Sequence, residues 1–180
     1  MKKSIVATAV LLGIFISGCG ASGDASNEKA AAKSTGVAKE DVCTLLTTSE
    51  VSKLVGEPVH EGERDTKHTY PNTSVCTWTS VSHDMPLLVL TYNLHASSHD
   101  LDYYAPPQDM GNTVKKLNSS GNESIAVLTS KQTLFEVIVR SGDNAVLLTA
   151  PYLKGKEGNT YWQNEVKLAE LAAQRASGKQ

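Results

Sequence analysis

Only three cysteines occur in the 180 residues and no two form a Cys-x-x-Cys pair, so local sequence cannot supply a dithiol redox site. Gly-x-Ser-x-Gly is absent, which removes one local signature of an activated serine. Gly142, Gly155 and Gly158 lack the strand-to-helix setting and the following Lys-Ser/Thr that a phosphate-cradling loop needs. Basic side chains do not outnumber acidic ones, 17 against 19, which argues against a role built on neutralising nucleic-acid phosphates. Hydrophobic runs are short as well. The stretch from Ile5 to Ile16 is too brief to span a bilayer as a permanent helix.

That run follows Met1-Lys2-Lys3 and precedes Ser17-Gly18-Cys19, the layout of a signal peptide over 1–18. Ile16-Ser17-Gly18-Cys19 resembles a bacterial lipobox, which implies cleavage before Cys19 and lipid attachment to its thiol. The alternative is ordinary secretory cleavage with Cys19 incidental. Losing Lys2 and Lys3 leaves 15 basic against 19 acidic side chains, a net charge of −4. The residue directly after Cys19 is Gly20, not the aspartate that marks inner-membrane retention in many Gram-negative bacteria. A host with two membranes is therefore expected to carry the protein on its outer membrane, and a single-membrane host on the outer face of the cell membrane. Residues 19–39 are mostly Gly, Ala, Ser, Asn, Asp, Lys and Glu and read as a flexible tether, with a single globular domain over 40–180.

An exported compartment is oxidising, and Cys43 and Cys76 remain once Cys19 carries lipid, so they are expected to pair; the other reading is two buried thiols. Between them, Thr47-Thr48-Ser49-Glu50 reads as a capping box that starts a short helix at Thr48, with Leu46 and Val51 spaced as a hydrophobic staple. Gly56 and Pro58 end it. Alternation then predicts strands over 74–80, 87–94, 124–129, 133–140 and 145–150, the first two and the last two pairing as hairpins. In the fourth strand, Phe135, Val137 and Val139 are expected on one face. A short helix is expected over 109–117. A last helix, capped by Asn159 or Thr160, should pack through Trp162, Val166, Ala169 and Ala173. The fold class is α+β: an antiparallel sheet with a short N-terminal and a longer C-terminal helix packed on it, one disulfide, and a hint of internal αβ duplication.

Asp41-Val42-Cys43-Thr44-Leu45-Leu46-Thr47, Glu50-Val51, Gly56-Glu57-Pro58-Val59 and Cys76-Thr77-Trp78 resemble a family of exported bacterial lipoproteins of unknown function, best populated in actinobacteria. The likeness extends to Gly121-Asn122-Glu123-Ser124-Ile125-Ala126 and to the strand ending in Ser141-Gly142-Asp143, although Ser120-Gly121-Asn122-Glu123 lacks the second glycine common in the family. It covers most of the chain after the tether. It implies a fold and an extracytoplasmic address, and carries no catalytic residue across.

Trp78, Trp162 and Tyr92 read as core. Tyr103-Tyr104-Ala105-Pro106-Pro107 lies in the least regular stretch, so Tyr103, Tyr104, Pro106 and Pro107 are the expected partner contacts. His95 and His99, with Asp100, Asp102, His83 and His68, offer ligand atoms but read as solvated loop side chains; neither a metal nor a cofactor is expected. The expectation for function is a non-catalytic, membrane-anchored domain that recognises another envelope or secreted protein, as an inhibitor or immunity protein does. Carriage of a lipid or other small apolar ligand is the alternative, and an enzyme using the His95/His99 region ranks below both.

Overall fold

The computed structural model describes residues 39–67, 70–118 and 121–178. The signal peptide, Cys19, the tether up to residue 38 and His68 lie outside the described residues.

After a 3-10 turn at Lys39–Thr44, helix α1 runs over Thr48–Val55. The Thr47 hydroxyl accepts from the Glu50 amide at 3.2 Å, and the Glu50 carboxylate accepts from the Thr47 amide at 2.8 Å, so two amide donors that the first turn leaves orphaned are satisfied reciprocally. Gly56 ends the helix at φ 83°, a left-handed conformation that costs glycine little. Leu46 and Val51 are both buried in the same core. Cys43 and Cys76 form a disulfide with Cα atoms 5.2 Å apart, stapling the segment before α1 to the sheet.

Seven strands make one antiparallel sheet: β1 (Glu63–Arg64), β2 (Thr73–Thr79), β3 (Pro86–Asn93), β4 (Thr113–Leu117), β5 (Ser124–Leu128), β6 (Leu134–Ser141) and β7 (Asn144–Thr149), in the order β1-β2-β3-β7-β6-β5-β4. Gly142, at φ 59°, and Asp143 make the tight turn between β6 and β7, which pair from Ser141 with Asn144 onward. Helix α2 (Thr160–Ala176) starts at the cap Asn159, whose side chain accepts from the Trp162 amide. It packs on β6 and β7 and touches α1, so both helices lie on one face. That face is filled by Trp78, Leu88, Leu90, Tyr92, Val137, Val146 and Leu148, and α2 adds Trp162, Ala169 and Ala173.

Two expectations are corrected. Residues 109–117 do not form a helix: a 3-10 turn at Gln108–Met110 stops at Gly111 (φ 80°), and Thr113–Leu117 becomes the edge strand β4 paired with β5. The Val114 to Leu117 spacing imitates a helical face, but the ladder hydrogen bonds that β5 offers outweigh local propensity. Second, Phe135 parts from Val137 and Val139. A bulge opposite Val127/Leu128 turns it to the other face, against the second core. The stripe on α2 packs as expected, with Trp162, Ala169 and Ala173 in the core and Val166 partly buried against it; Glu165, fully buried, widens it.

Candidate functional site

The site is placed by topology. Four antiparallel pairings separate β3 from β4, so the two strands point the same way and lie at different positions in the sheet. The chain must cross β7, β6 and β5 and also return along their length, and residues 94–112 do this over the face opposite the helices. Parallel strands usually take a helix for such a link. Here the route is three 3-10 turns, Ala96–Ser98, Leu101–Tyr104 and Gln108–Met110, joined by extended residues.

Ala96 and Leu101 pin the crossover, fully buried on Ile125, Val127, Ile138, Ala145 and Leu147 in a second core. β5, covered on both sides, is buried at every position. Polar anchors act at the upper end. His95, at φ 57°, donates its amide to Asn144 Oδ1 at 3.1 Å, and the Ser97 amide donates to the Asp143 carbonyl at 3.0 Å. Arg140 projects from β6 beneath the crossover: Nη1 donates to the Ala96 carbonyl at 2.6 Å and Nη2 to the His99 carbonyl at 3.0 Å, while Glu123 accepts from Nε and Nη2 at 3.3 and 3.2 Å.

On this base stand three rings. His99 stacks on Tyr103 with centroids 4.0 Å apart and planes 13° from parallel; Tyr104 meets Tyr103 edge-on at 5.2 Å and His99 at 6.3 Å. Tyr103 is 66% exposed. Tyr104 is half-buried, and burial pushes its phenol above the ordinary value while the Arg140 guanidinium opposes the shift. Pro106 is half-buried and Pro107 exposed, following the tyrosines in extended backbone. The four residues expected at a contact surface thus share one crossover, and His99 joins the tyrosines by stacking. Among the described residues no three His, Cys, Asp or Glu side chains gather into a metal site. Trp78, Trp162 and Tyr92 are core.

Arg140 and Glu123 are the residues that sequence reasoning missed. The available signal was the alternation of β6, where Glu136, Ile138 and Arg140 share the face opposite Val137 and Val139. Among the described residues, shallow grooves also lie away from the crossover. One, of about 180 Å³, runs between α1 and α2 over Leu54, Leu168 and Leu171, with Lys53 and Lys167 at its rim; another, of about 210 Å³, flanks β1 and β2 at Arg64, Thr77 and Thr79. No helix among the described residues is long and apolar enough to cross a membrane.

Comparison with family models, curated proteins and solved structures finds no match for this chain.

Proposed function

We propose that this is a membrane-anchored, extracytoplasmic lipoprotein whose folded domain is a non-catalytic binding module for another envelope or secreted protein. The observation that carries the reading is the His99/Tyr103/Tyr104 cluster: aromatic rings held in fixed mutual orientation on a crossover anchored by Arg140, with Tyr103 turned to solvent. Rigid, exposed tyrosines supply large contact area at low entropic cost, which is why interfaces favour them. The lipobox-like Ile16-Ser17-Gly18-Cys19 and the resemblance to exported lipoproteins supply the address, on the outer membrane or the outer face of the cell membrane. An inhibitor or immunity protein is one concrete form. The α+β halves on either side of the crossover are taken as products of an internal duplication within the same reading.

Carriage of an apolar ligand is the competing function. Of the described residues, those between α1 and α2 and those beside β1 and β2 line grooves of about 180 and 210 Å³, each short of the roughly 300–1,000 Å³ of most small-molecule sites, so neither groove supports carriage. A photo-crosslinking residue in place of Gln108, exposed on the crossover, tests the reading in intact cells. A discrete crosslinked protein is expected. No product at this position, together with a lipid-sized mass retained in native mass spectrometry, would replace the binding module with a carrier.

A further inference from the structure

We propose that Tyr103, flanked by Asp100 and Asp102, is a receptor for arginine side chains presented by a basic segment of the partner protein. The inference rests on the protein-partner reading above and adds the partner's chemistry.

The ring geometry leaves a place for a planar cation. His99 covers one face of Tyr103 at 4.0 Å. Were Tyr104 seated on the opposite face, it would stand off from His99 by nearly the sum of the two ring spacings, well beyond the 6.3 Å found. Tyr104 therefore lies beside the stack, and the outer face of Tyr103 is open, as its 66% exposure requires. The face of a phenol ring is the negative end of its quadrupole and attracts cations; a guanidinium, being flat and weakly hydrated, can also stack there where an ammonium cannot.

Formal charge along the crossover has one sign. Residues 94–112 contain Asp100, Asp102 and Asp109 and no lysine or arginine. Asp100 caps the turn that carries Tyr103 by position only, since its side chain makes no capping hydrogen bond, and Asp102 lies in the first turn of the same 3-10 segment. Both side chains are exposed. The nearby guanidinium of Arg140 is already engaged by two carbonyls and by Glu123. A stacked arginine would find carboxylate acceptors beside the ring, the pairing its fork of donors fits best.

The test is a titration of the full-length chain in neutral detergent with octa-arginine, octa-lysine and octa-glutamate at low salt. Octa-arginine is expected to bind more tightly than octa-lysine, and octa-glutamate not at all. Tyr103→Ala should weaken octa-arginine about threefold and erase its advantage over octa-lysine. The isosteric Asp100→Asn/Asp102→Asn pair should weaken both cationic peptides about threefold, an effect that disappears at high salt. Equal affinity for the two cationic peptides, or octa-arginine binding unchanged in both variants, would overturn the inference. If crosslinking at residue 108 captures a protein while these titrations fail, only the basic chemistry is lost. If both fail, the binding-module reading falls with it.

Discussion

Two buried carboxyls set how this protein should respond to pH. Glu165, on the sheet-facing side of α2, is fully buried with neither oxygen hydrogen-bonded, and burial, with the charge of Glu136 adding to it, pushes its pKa up to about 8. Glu136 on β6 is pushed up to about 7 by burial, against a hydrogen bond donated by Thr149 at 2.9 Å. Both groups hold their protons in the folded state at pH values where the unfolded chain, titrating near 4.5, has lost them. Stability must then fall as pH rises from about 4.5 to about 8, by at most about 1.4 kcal/mol per pH unit for each group. Glu50 acts oppositely. The Arg175 hydrogen bonds hold it down to about 2, so its contribution is present above 4.5 and is lost as pH falls through 2. Thermal melts from pH 3 to 9 should therefore peak on the acid side of neutrality, and Glu165→Gln should raise the melting temperature at pH 8 while leaving it nearly unchanged at pH 4. Equal effects at both values would mean that Glu165 is ionised throughout. Gly62 is a second single-residue constraint: a Cβ there would stand 2.7 Å from both Cys76 Sγ and the Trp78 ring. Gly62→Ala is expected to cost about 1–3 kcal/mol, read from the denaturant midpoint.

Among the elements, α1 and α2 are joined by a clamp that links the two ends of the domain. Arg175 donates from Nη1 and Nη2 to the two Glu50 oxygens, each at 2.8 Å, and Nη1 also reaches the Leu45 carbonyl at 2.9 Å. The carboxylate that closes the α1 capping box therefore also receives α2. Arg175→Met should destabilise by about 1.5–3 kcal/mol, the range for hydrogen bonds to charged groups, and should speed amide exchange in α1 as well as in the last turn of α2. In the crossover, Arg140→Met should accelerate exchange at residues 96–104 with little change in β2 or β3, because the lost bonds hold that segment and Glu123 and reach neither strand. These long-range partners mark where sequence reasoning stops. The Thr47 box, the Gly56 exit, the Asn159 cap and the Gly142-Asp143 turn were legible because each is complete within a few neighbouring residues. Arg140 and Arg175 were not, since their acceptors come from distant parts of the chain. β4 was misread for the same reason: its strand character comes from β5, not from its own residues. The tyrosine segment was legible as irregular and aromatic. Its base was not, because nothing local to residues 95–107 shows that Ile125, Ile138 and Leu147 lie beneath it.

At the scale of the molecule, the disulfide joins the 3-10 turn ahead of α1 to β2, which lies one strand in from the sheet edge. Cross-linking residues 33 apart removes loop entropy from the unfolded chain worth roughly 3–4 kcal/mol in the polymer model, so Cys43→Ala/Cys76→Ala should lower the unfolding free energy by about that amount. The sheet edges are guarded differently: β1 is two residues long, whereas β4 carries Lys115, ion-paired to Glu157, and Lys116 along its length. The placement of Cys43, ahead of α1 and bonded to Cys76 on β2, also decides how the domain carries load. A pull on the N-terminus passes from Cys43 straight across the sulfur bridge into β2, and α1 and β1, which lie within the bridged loop, bear none of that tension through the backbone. Stretched between its ends in an optical trap, the oxidised chain should yield a contour length shorter by roughly 110 Å than the reduced one, the bridged span at about 3.4 Å per residue. The segment that would be first to peel away in a linear chain thus becomes a shock-proof cap, and the sheet itself is the part that takes the strain.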